Sequence, residues 1–269
     1  MTPVTDLEAH LARLGRVLLG YSGGVDSALL AVVARRALGG ADFLAVIGRS
    51  ASYPAVQYRS AVAIANQFDI PLLELDTLEL NNPAYRANRP DRCYFCKQEL
   101  WSRLSEVATA RGLQTIIDGT NADDLREHRP GLRAAAEYRI QSPLAELGWT
   151  KVMVRQAAAE LRLPTWEAPS APCLASRIQY GLAVTPERLR QVEAAEAALR
   201  RLGLAGDLRV RHRGDYASVE VSPARLPDVR ERWESIAAAL QAIGFPRVVL
   251  DSRGYRRGGL LADVPVLGD

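Results

Sequence analysis

Three sets of residues have types and spacing that can do chemistry. The first is Ser22-Gly23-Gly24-Val25-Asp26-Ser27, lying between the apolar runs 16–21 and 27–38. Glycines let a backbone approach a ligand closely. A helix start offers unpaired N–H groups and partial positive charge, which suit phosphate, and Ser22 and Ser27 add hydroxyl donors. The spacing fits neither G-x-G-x-x-G nor G-x-x-x-x-G-K-[ST], because no lysine is present. The plain alternative is a tight strand-to-helix turn with Asp26 near its cap.

The second set is the cysteines Cys93, Cys96 and Cys173. Three thiols cannot all pair within one chain, which speaks against a secreted disulfide scaffold. Cys93-Tyr94-Phe95-Cys96 opens a helix beside Arg92 and Lys97, a setting that favours thiolate. A structural zinc site needs four ligands, and the remaining candidates are Cys173 and the scattered His10, His128 and His212. A redox dithiol needs no third cysteine. A [4Fe–4S] cluster uses Cys93, Cys96 and Cys173 on three irons and leaves the fourth open to an external ligand such as sulfide. Three unrelated thiols are the bland reading.

The third set is ionic. Asp118-Gly119-Thr120-Asn121, with Asp123 and Asp124, lies at the end of the strand-like run 115–119; it can give oxygens to Mg²⁺ or form an Asx-rich turn. Arg209 and Arg211 alternate along a strand, so their side chains share a face, with Glu220 on the facing strand. They offer fork-like donors for phosphate or make cross-strand ion pairs on a solvated face. Glu196 sits mid-helix, where plain exposure is the default.

The elements that position these sets follow from periodicity. Strand-like runs at 16–21, 43–48, 72–75 and 115–119 alternate with helical stretches at 27–38, 54–68, 94–111 and 150–162. That pattern predicts an α/β domain with a parallel sheet over residues 1–170, whose ligands bind beyond the carboxyl ends of the strands. A loop rich in Asn, Pro and Arg fills 81–92, and a proline-rich linker or active-site loop fills 164–182. A smaller α+β domain is expected over 171–269. It comprises a helix capped by Thr185 and started by Pro186, an antiparallel pair turning at Gly214-Asp215, a helix over 224–241 and a strand at 247–251.

Of 269 residues, 48% are hydrophobic and 24% charged, which excludes a disordered or collagenous chain. No stretch approaches the ~18 consecutive apolar residues of a membrane span, and the N-terminus lacks a signal-peptide core, so a cytoplasmic protein is expected. A net charge of +3 is too small to argue for nucleic acid. Of the 34 basic residues only Lys97 and Lys151 are lysine; compositional bias accounts for most of the arginines.

SGGVDS after an apolar strand resembles the pyrophosphate loop of the PP-loop ATP pyrophosphatases. That superfamily cleaves ATP between the α and β phosphates to adenylate a carboxyl or carbonyl group. The resemblance implies that Ser22, Gly23, Gly24, Asp26 and Ser27, with Gly119, Thr120 and Asp123, hold ATP and Mg²⁺, and that 47–53 lies near adenine. DRCYFCK, DGTNADDLREHRPGLRAA, SPLAELGWTK, APCLASRI and GYRRGGL are in turn similar to the LarE family, from about Arg16 to Asp263. These are sulfur transferases of nickel-pincer nucleotide biosynthesis.

That resemblance implies a pyridinium dicarboxylate mononucleotide substrate, a sulfide or persulfide donor and a homo-oligomer, with no nucleic-acid or membrane partner. It maps the sulfur-donating cysteine to Cys173. Ser176, Arg177, Glu196, Glu220 and Asp228 fall near that cysteine or at positions needed for activity, and Arg209, Arg211 and Arg256 fall where substrate phosphate binds. In one style of the family a lone cysteine surrenders its own sulfur; in the other, three cysteines carry a [4Fe–4S] cluster. The Cys93/Cys96 pair favours the second style, and Cys173 keeps the first alive. A tRNA-thiolating enzyme would carry a basic RNA-binding module or zinc ribbons. A non-catalytic nucleotide-binding regulator would not need both an intact SGGVDS and Cys173.

Overall fold

A computed structural model describes residues 3–126, 130–169 and 172–256. His128, the last part of GYRRGGL and the end of the resemblance at Asp263 lie outside the described residues. In chain order the elements are α1 (Pro3–Arg13), β1 (Val17–Gly20), α2 (Val25–Leu38), β2 (Phe43–Arg49), α3 (Ala55–Gln67), β3 (Leu72–Asp76), α4 (Pro83–Arg86), α5 (Arg92–Arg111), β4 (Thr115–Ile117), α6 (Pro130–Glu137), α7 (Pro143–Glu146), α8 (Lys151–Glu160), α9 (Pro186–Arg201), β5 (Leu208–His212), β6 (Tyr216–Val221), α10 (Leu226–Glu231), α11 (Trp233–Gln241) and β7 (Arg247–Leu250). None of the described helices is long and apolar enough to cross a membrane.

The chain divides into two compact units. One comprises Met1–Glu79 and Cys93–Ala171, the other Leu80–Arg92 and Pro172–Asp269. The first holds a parallel sheet of order β3-β2-β1-β4. Its central strands are apolar on both faces because helices cover both. Val17, Leu19, Phe43, Ala45 and Ile47 pack with α1, α2 and α8, while the alternate residues Leu18, Leu44 and Val46 pack with Trp101, Leu104 and Ala134 of α5 and α6. α2 is buried from Ser27 to Ala34 and ends at Gly39 with φ 74°, a backbone that glycine adopts without strain. The fold is thus the α/β class expected.

The second unit is an α+β layer of order β5-β6-β7, with β5 and β6 antiparallel and β6 and β7 parallel. Leu199 of α9 and Ile236 and Leu240 of α11 pack on Val210, Val219 and Val221. Thr185 caps α9 by accepting the Arg188 N–H, and Pro186 opens the helix.

Two details depart from the sequence expectation. Residues Leu80–Arg92, expected as a loop of the first domain, contain α4 and group with the second unit. The single helix expected over 224–241 is broken at Arg232, which has φ −102° and ψ 12° and whose guanidinium donates to the Leu202 carbonyl at the end of α9. Both departures rest on partners distant in sequence, which no local period encodes.

His212, at the end of β5, is buried. Its Nδ1 accepts the Gly214 N–H, and its Nε2 lies 3.2 Å from Gln191 Oε1. Burial, helped by Arg188, lowers its pKa from 6.5 to about 4. The fold therefore favours neutral imidazole. The resulting stability is complete above pH ~6.5 and is lost as pH falls toward 4, on the order of 3 kcal/mol in all. Denaturation measured from pH 7 to 5 should show this decline, and His212→Gln should flatten it.

Candidate functional site

In the first unit the phosphate-type loop runs from the end of β1 into α2. Ser22 Oγ and Ser27 Oγ lie 3.1 Å apart, Ser27 Oγ donates to the Gly24 carbonyl, and the Ser22 N–H donates to Ser27 Oγ. The loop is thus folded on its own hydroxyls. Gly24 caps α2 with no side-chain bond to the helix N–H groups, so the first turn keeps its donors for an anion.

Two glycines make room at this end of the sheet. Gly23 has φ +68°, and a Cβ there would lie 2.4 Å from Ala61 Cβ. A Cβ on Gly119 would lie 2.8 Å from the Ser27 nitrogen. Tyr53 OH and Gln57 Nε2 both donate to the Ser22 carbonyl, at 2.9 and 2.7 Å. Burial pushes the Tyr53 phenol up, so it stays a donor. Segment 47–53 is thereby tied to the loop, with Ser50 and Ser52 hydroxyls 2.8 Å apart.

Asp26 joins this loop to the turn after β4. Its Oδ1 accepts from Asn121 Nδ2 at 3.0 Å and its Oδ2 from Lys151 Nζ at 2.5 Å. Lys151 is the residue that sequence reasoning missed. Its signal was available: it is one of two lysines in an arginine-rich chain and opens a helix capped by Thr150. Asp118 accepts from the Thr120 N–H, Thr120 Oγ1 and Ser142 Oγ, and Asp123 Oδ2 accepts the Lys151 N–H. These carboxylates brace the turn, and their remaining lone pairs are compatible with Mg²⁺.

Cys93 and Cys96 occupy the first turn of α5, on one face at i,i+3 spacing; Cys93 is exposed and Cys96 half-buried, and neither is in a disulfide. The cations expected to favour thiolate have partners of their own. Lys97 Nζ lies 4.7 Å over the Trp101 ring. Arg92 is buried and donates to Asn88 Oδ1 and the Ala175 carbonyl. Cys173 belongs to the second unit. Among the described residues no cluster of three or more His, Cys, Asp or Glu is arranged as a metal site.

Cys173 precedes a 3-10 turn, Leu174–Arg177, which rests on buried charge. Arg177 is buried and grips Glu196 with a fork, Nε to Oε1 at 2.9 Å and Nη2 to Oε2 at 3.2 Å. Its Nη1 donates to the Pro172 and Cys173 carbonyls and to Ser176 Oγ. Ser176 Oγ donates to the Cys173 carbonyl at 2.7 Å. Glu196 also accepts the Val210 N–H. It is 8% exposed, so the alternative of a plainly solvated mid-helix glutamate does not hold: the α9 face carrying it is turned onto β5.

Arg209 and Arg211 are buried as well, so of the alternative reading the cross-strand ion pair is present, through Arg211, but the solvated face is not. Arg209 stands opposite Glu220 in register, but Arg211 makes the fork to Glu220, with both contacts 3.0 Å, and donates to the Ser176 carbonyl. The Arg209 guanidinium lies 5.0 Å over the Tyr255 ring, and burial, then repulsion from Arg177, lowers its pKa. Arg177, Arg209 and Arg211 thus bring three buried guanidiniums to one region with Glu196 and Glu220.

Ser176, Arg177, Glu196, Arg211 and Glu220 are therefore brought together around the Cys173 loop. Asp228 is not among them: its partners are Arg225 at 2.9 Å and Arg232 at 3.8 Å. Arg256 is exposed and contributes, after Arg253, to holding Asp251 below the usual carboxylate range.

Comparison with known proteins gives concordant findings. The NAD synthase family profile matches residues 7–110. An uncharacterized protein of Synechocystis sp. is 41% identical over 95% of this chain and 95% of its own length. The pyridinium-3,5-bisthiocarboxylic acid mononucleotide synthase of Lactiplantibacillus plantarum is 33% identical over 96% of this chain and 93% of its own. An uncharacterized protein of Methanocaldococcus jannaschii is 28% identical over 90% and 91%.

Removing one partner of a buried ion pair strands the other. Arg177→Met should destabilise the protein by about 3–5 kcal/mol in chemical denaturation, and Arg177→Met with Glu196→Met should recover part of that loss. Gly23→Ala meets both a strained φ and Ala61, so isothermal titration should show ATP affinity reduced at least ten-fold or abolished.

Proposed function

The chain belongs to the LarE family, that of the Lactiplantibacillus plantarum synthase, and on that premise we propose that it is an ATP-dependent sulfur transferase of nickel-pincer cofactor biosynthesis. Its substrate is pyridinium-3,5-dicarboxylate mononucleotide, and a carboxylate of that substrate becomes a thiocarboxylate. The observation that carries this reading is the pairing in one chain of an uncapped, glycine-lined helix start with a cysteine whose loop is pinned by buried arginine.

The chemistry divides between the two sites. A substrate carboxylate oxygen attacks the α-phosphorus of ATP, and the bond to the β-phosphate oxygen breaks. Negative charge then grows on the departing pyrophosphate. The bare N–H groups of α2 and the hydroxyls of Ser22 and Ser27 can stabilise it there. Asp26 and Asp123 are the carboxylates that would hold Mg²⁺, and Lys151 holds Asp26 in place. A sulfur nucleophile then adds to the acyl carbon and AMP leaves with the carboxylate oxygen it activated. Sulfur suits this step because thiolates are reactive at neutral pH without a strong base. Arg209 and Arg211, with exposed Arg256, supply positive charge for the substrate phosphate.

We assign Cys93, Cys96 and Cys173 to a [4Fe–4S] cluster, with sulfide or a persulfide as external donor, in a homo-oligomeric cytoplasmic enzyme. When bound, the cluster would supply an open iron site for that sulfur. Support comes from the i,i+3 placement of Cys93 and Cys96 on α5. A second reading has its own support, since Cys173 is the only cysteine of the second unit. There the Cys173 thiolate displaces AMP to give a thioester. Loss of its Cα proton and cleavage of its Cβ–S bond then leave thiocarboxylate and dehydroalanine.

Anaerobic purification with iron and sulfide analysis separates the two. The cluster reading expects iron and sulfide in wild type and their loss in Cys93→Ala. An iron-free wild type after reconstitution, with Cys173 lighter by one H₂S after turnover, establishes the sacrificial route instead. Pyrophosphate release should depend on the pyridinium nucleotide and fall at least ten-fold in Asp26→Asn. Release that responds to tRNA but not to that nucleotide overturns the function.

A further inference from the structure

The segment Leu80–Arg92 is interposed between β3 and α5, yet it groups with the second unit, and the hydrogen bonds of its last residues explain why. Asn88 is fully buried in a left-handed backbone, φ +52°. Its Nδ2 donates to the carbonyls of Ile178, Gln179 and Leu182 at 3.2, 2.8 and 2.9 Å. Its own carbonyl accepts the Gly181 N–H, and the Arg86 carbonyl accepts the Val184 N–H. Its Oδ1 accepts from Arg92 Nη1, which also donates to the Ala175 carbonyl at 2.9 Å. Arg92 is 3% exposed, and its ring neighbour is Tyr180, 5.9 Å away.

These bonds complete a pattern around Cys173. The Pro172 and Cys173 carbonyls receive Arg177, the Ser176 carbonyl receives Arg211, and the Ala175 carbonyl receives Arg92. Three guanidiniums from three separate segments hold the backbone on which the cysteine stands. Arg177 lies within the turn and Arg211 on β5. Arg92 alone arrives from the insertion, and it is also the first residue of α5, directly before Cys93.

We propose that Asn88 and Arg92 are positioning residues for Cys173, fixing the 175–182 backbone so that the thiol is presented in one orientation to the acyl adenylate. Neither touches a reacting atom. Both contacts leave one guanidinium nitrogen, Nη1, whose two N–H bonds are fixed in the plane of the group. Buried amide donors left unmatched are costly, so Asn88 and the carbonyls it serves favour a single arrangement.

The inference rests on Cys173 carrying the sulfur, and its test separates the two claims. In the full-length protein, Arg92→Gln should slow thiocarboxylate formation at least ten-fold while ATP-dependent pyrophosphate release stays within two-fold. Arg92→Lys should recover part of the transfer rate. Asn88→Gly, which keeps the left-handed backbone but removes the amide, should behave like Arg92→Gln. Iodoacetamide labelling of Cys173 in the metal-free protein, read by peptide mass spectrometry without substrate, should change at least three-fold in both Arg92→Gln and Asn88→Gly.

Labelling and transfer both within two-fold of wild type in these variants overturn the proposal. So does a parallel loss of transfer, pyrophosphate release and thermal stability, because that is general unfolding. A wild type that makes no thiocarboxylate defeats the sulfur-transfer reading, and labelling alone then decides whether Asn88 and Arg92 set the Cys173 loop.

Discussion

The second unit depends on the requirement that a charge taken out of water be matched. Arg177, Arg209, Arg211, Glu196 and Glu220 are all buried, and ions that size lose several kcal/mol of hydration each. The Arg177–Glu196 and Arg211–Glu220 forks offset that loss between α9, β5, β6 and the 3-10 turn. Each fork has a planar, bidentate geometry that tolerates little sliding, so the same bonds fix the α9–β5 contact and the path of the chain at Cys173. Apolar residues could stabilise such a core as well. They could not leave N–H groups over to grip the carbonyls of Pro172, Cys173 and Ser176.

The first unit meets a different demand with backbone. A nucleotide's phosphates are bulky and highly charged, and the loop at Ser22–Ser27 has the shape that the proposed phosphate site requires. Gly23 and Gly119 remove the Cβ atoms that would collide with Ala61 and Ser27, and the α2 N-terminus carries no side-chain cap. Charge enters through one linked pair, Asp26 with Lys151. The lysine restrains the carboxylate and offsets its charge. The Ser22–Ser27 loop and the Cys173 loop thus rest on separate supports, one mainly of neutral donors and one of buried ions.

Much of the fold was legible in the sequence. The alternation of apolar runs with helical stretches gave the parallel sheet, because strands covered on both faces must be apolar throughout. Thr185-Pro186 marked the start of α9 to the residue, since a capping hydroxyl followed by proline satisfies donors only at a helix start. Gly39 and Gly112 marked helix ends in the same local way. SGGVDS and Asp118–Asp124 stood out because Gly, Ser, Asn and Asp are suited to turns, and Cys173 because the chain has only three cysteines.

By itself, then, the sequence determined the class of fold and the places of the glycine-rich turn after β1 and of the Cys93, Cys96 and Cys173 thiols, all features written in neighbouring residues. Tertiary structure decided the rest. It turned Glu196 and Arg209 inward, chose Arg211 rather than Arg209 as the partner of Glu220, left Asp228 to a local pair with Arg225, and carried Asn88 and Arg92 across to the Cys173 loop. The physical reason is plainest for Asn88 and Arg92. A charged or amide side chain reads the same in sequence whether it faces water or a partner ninety residues away, and only the packed chain supplies that partner.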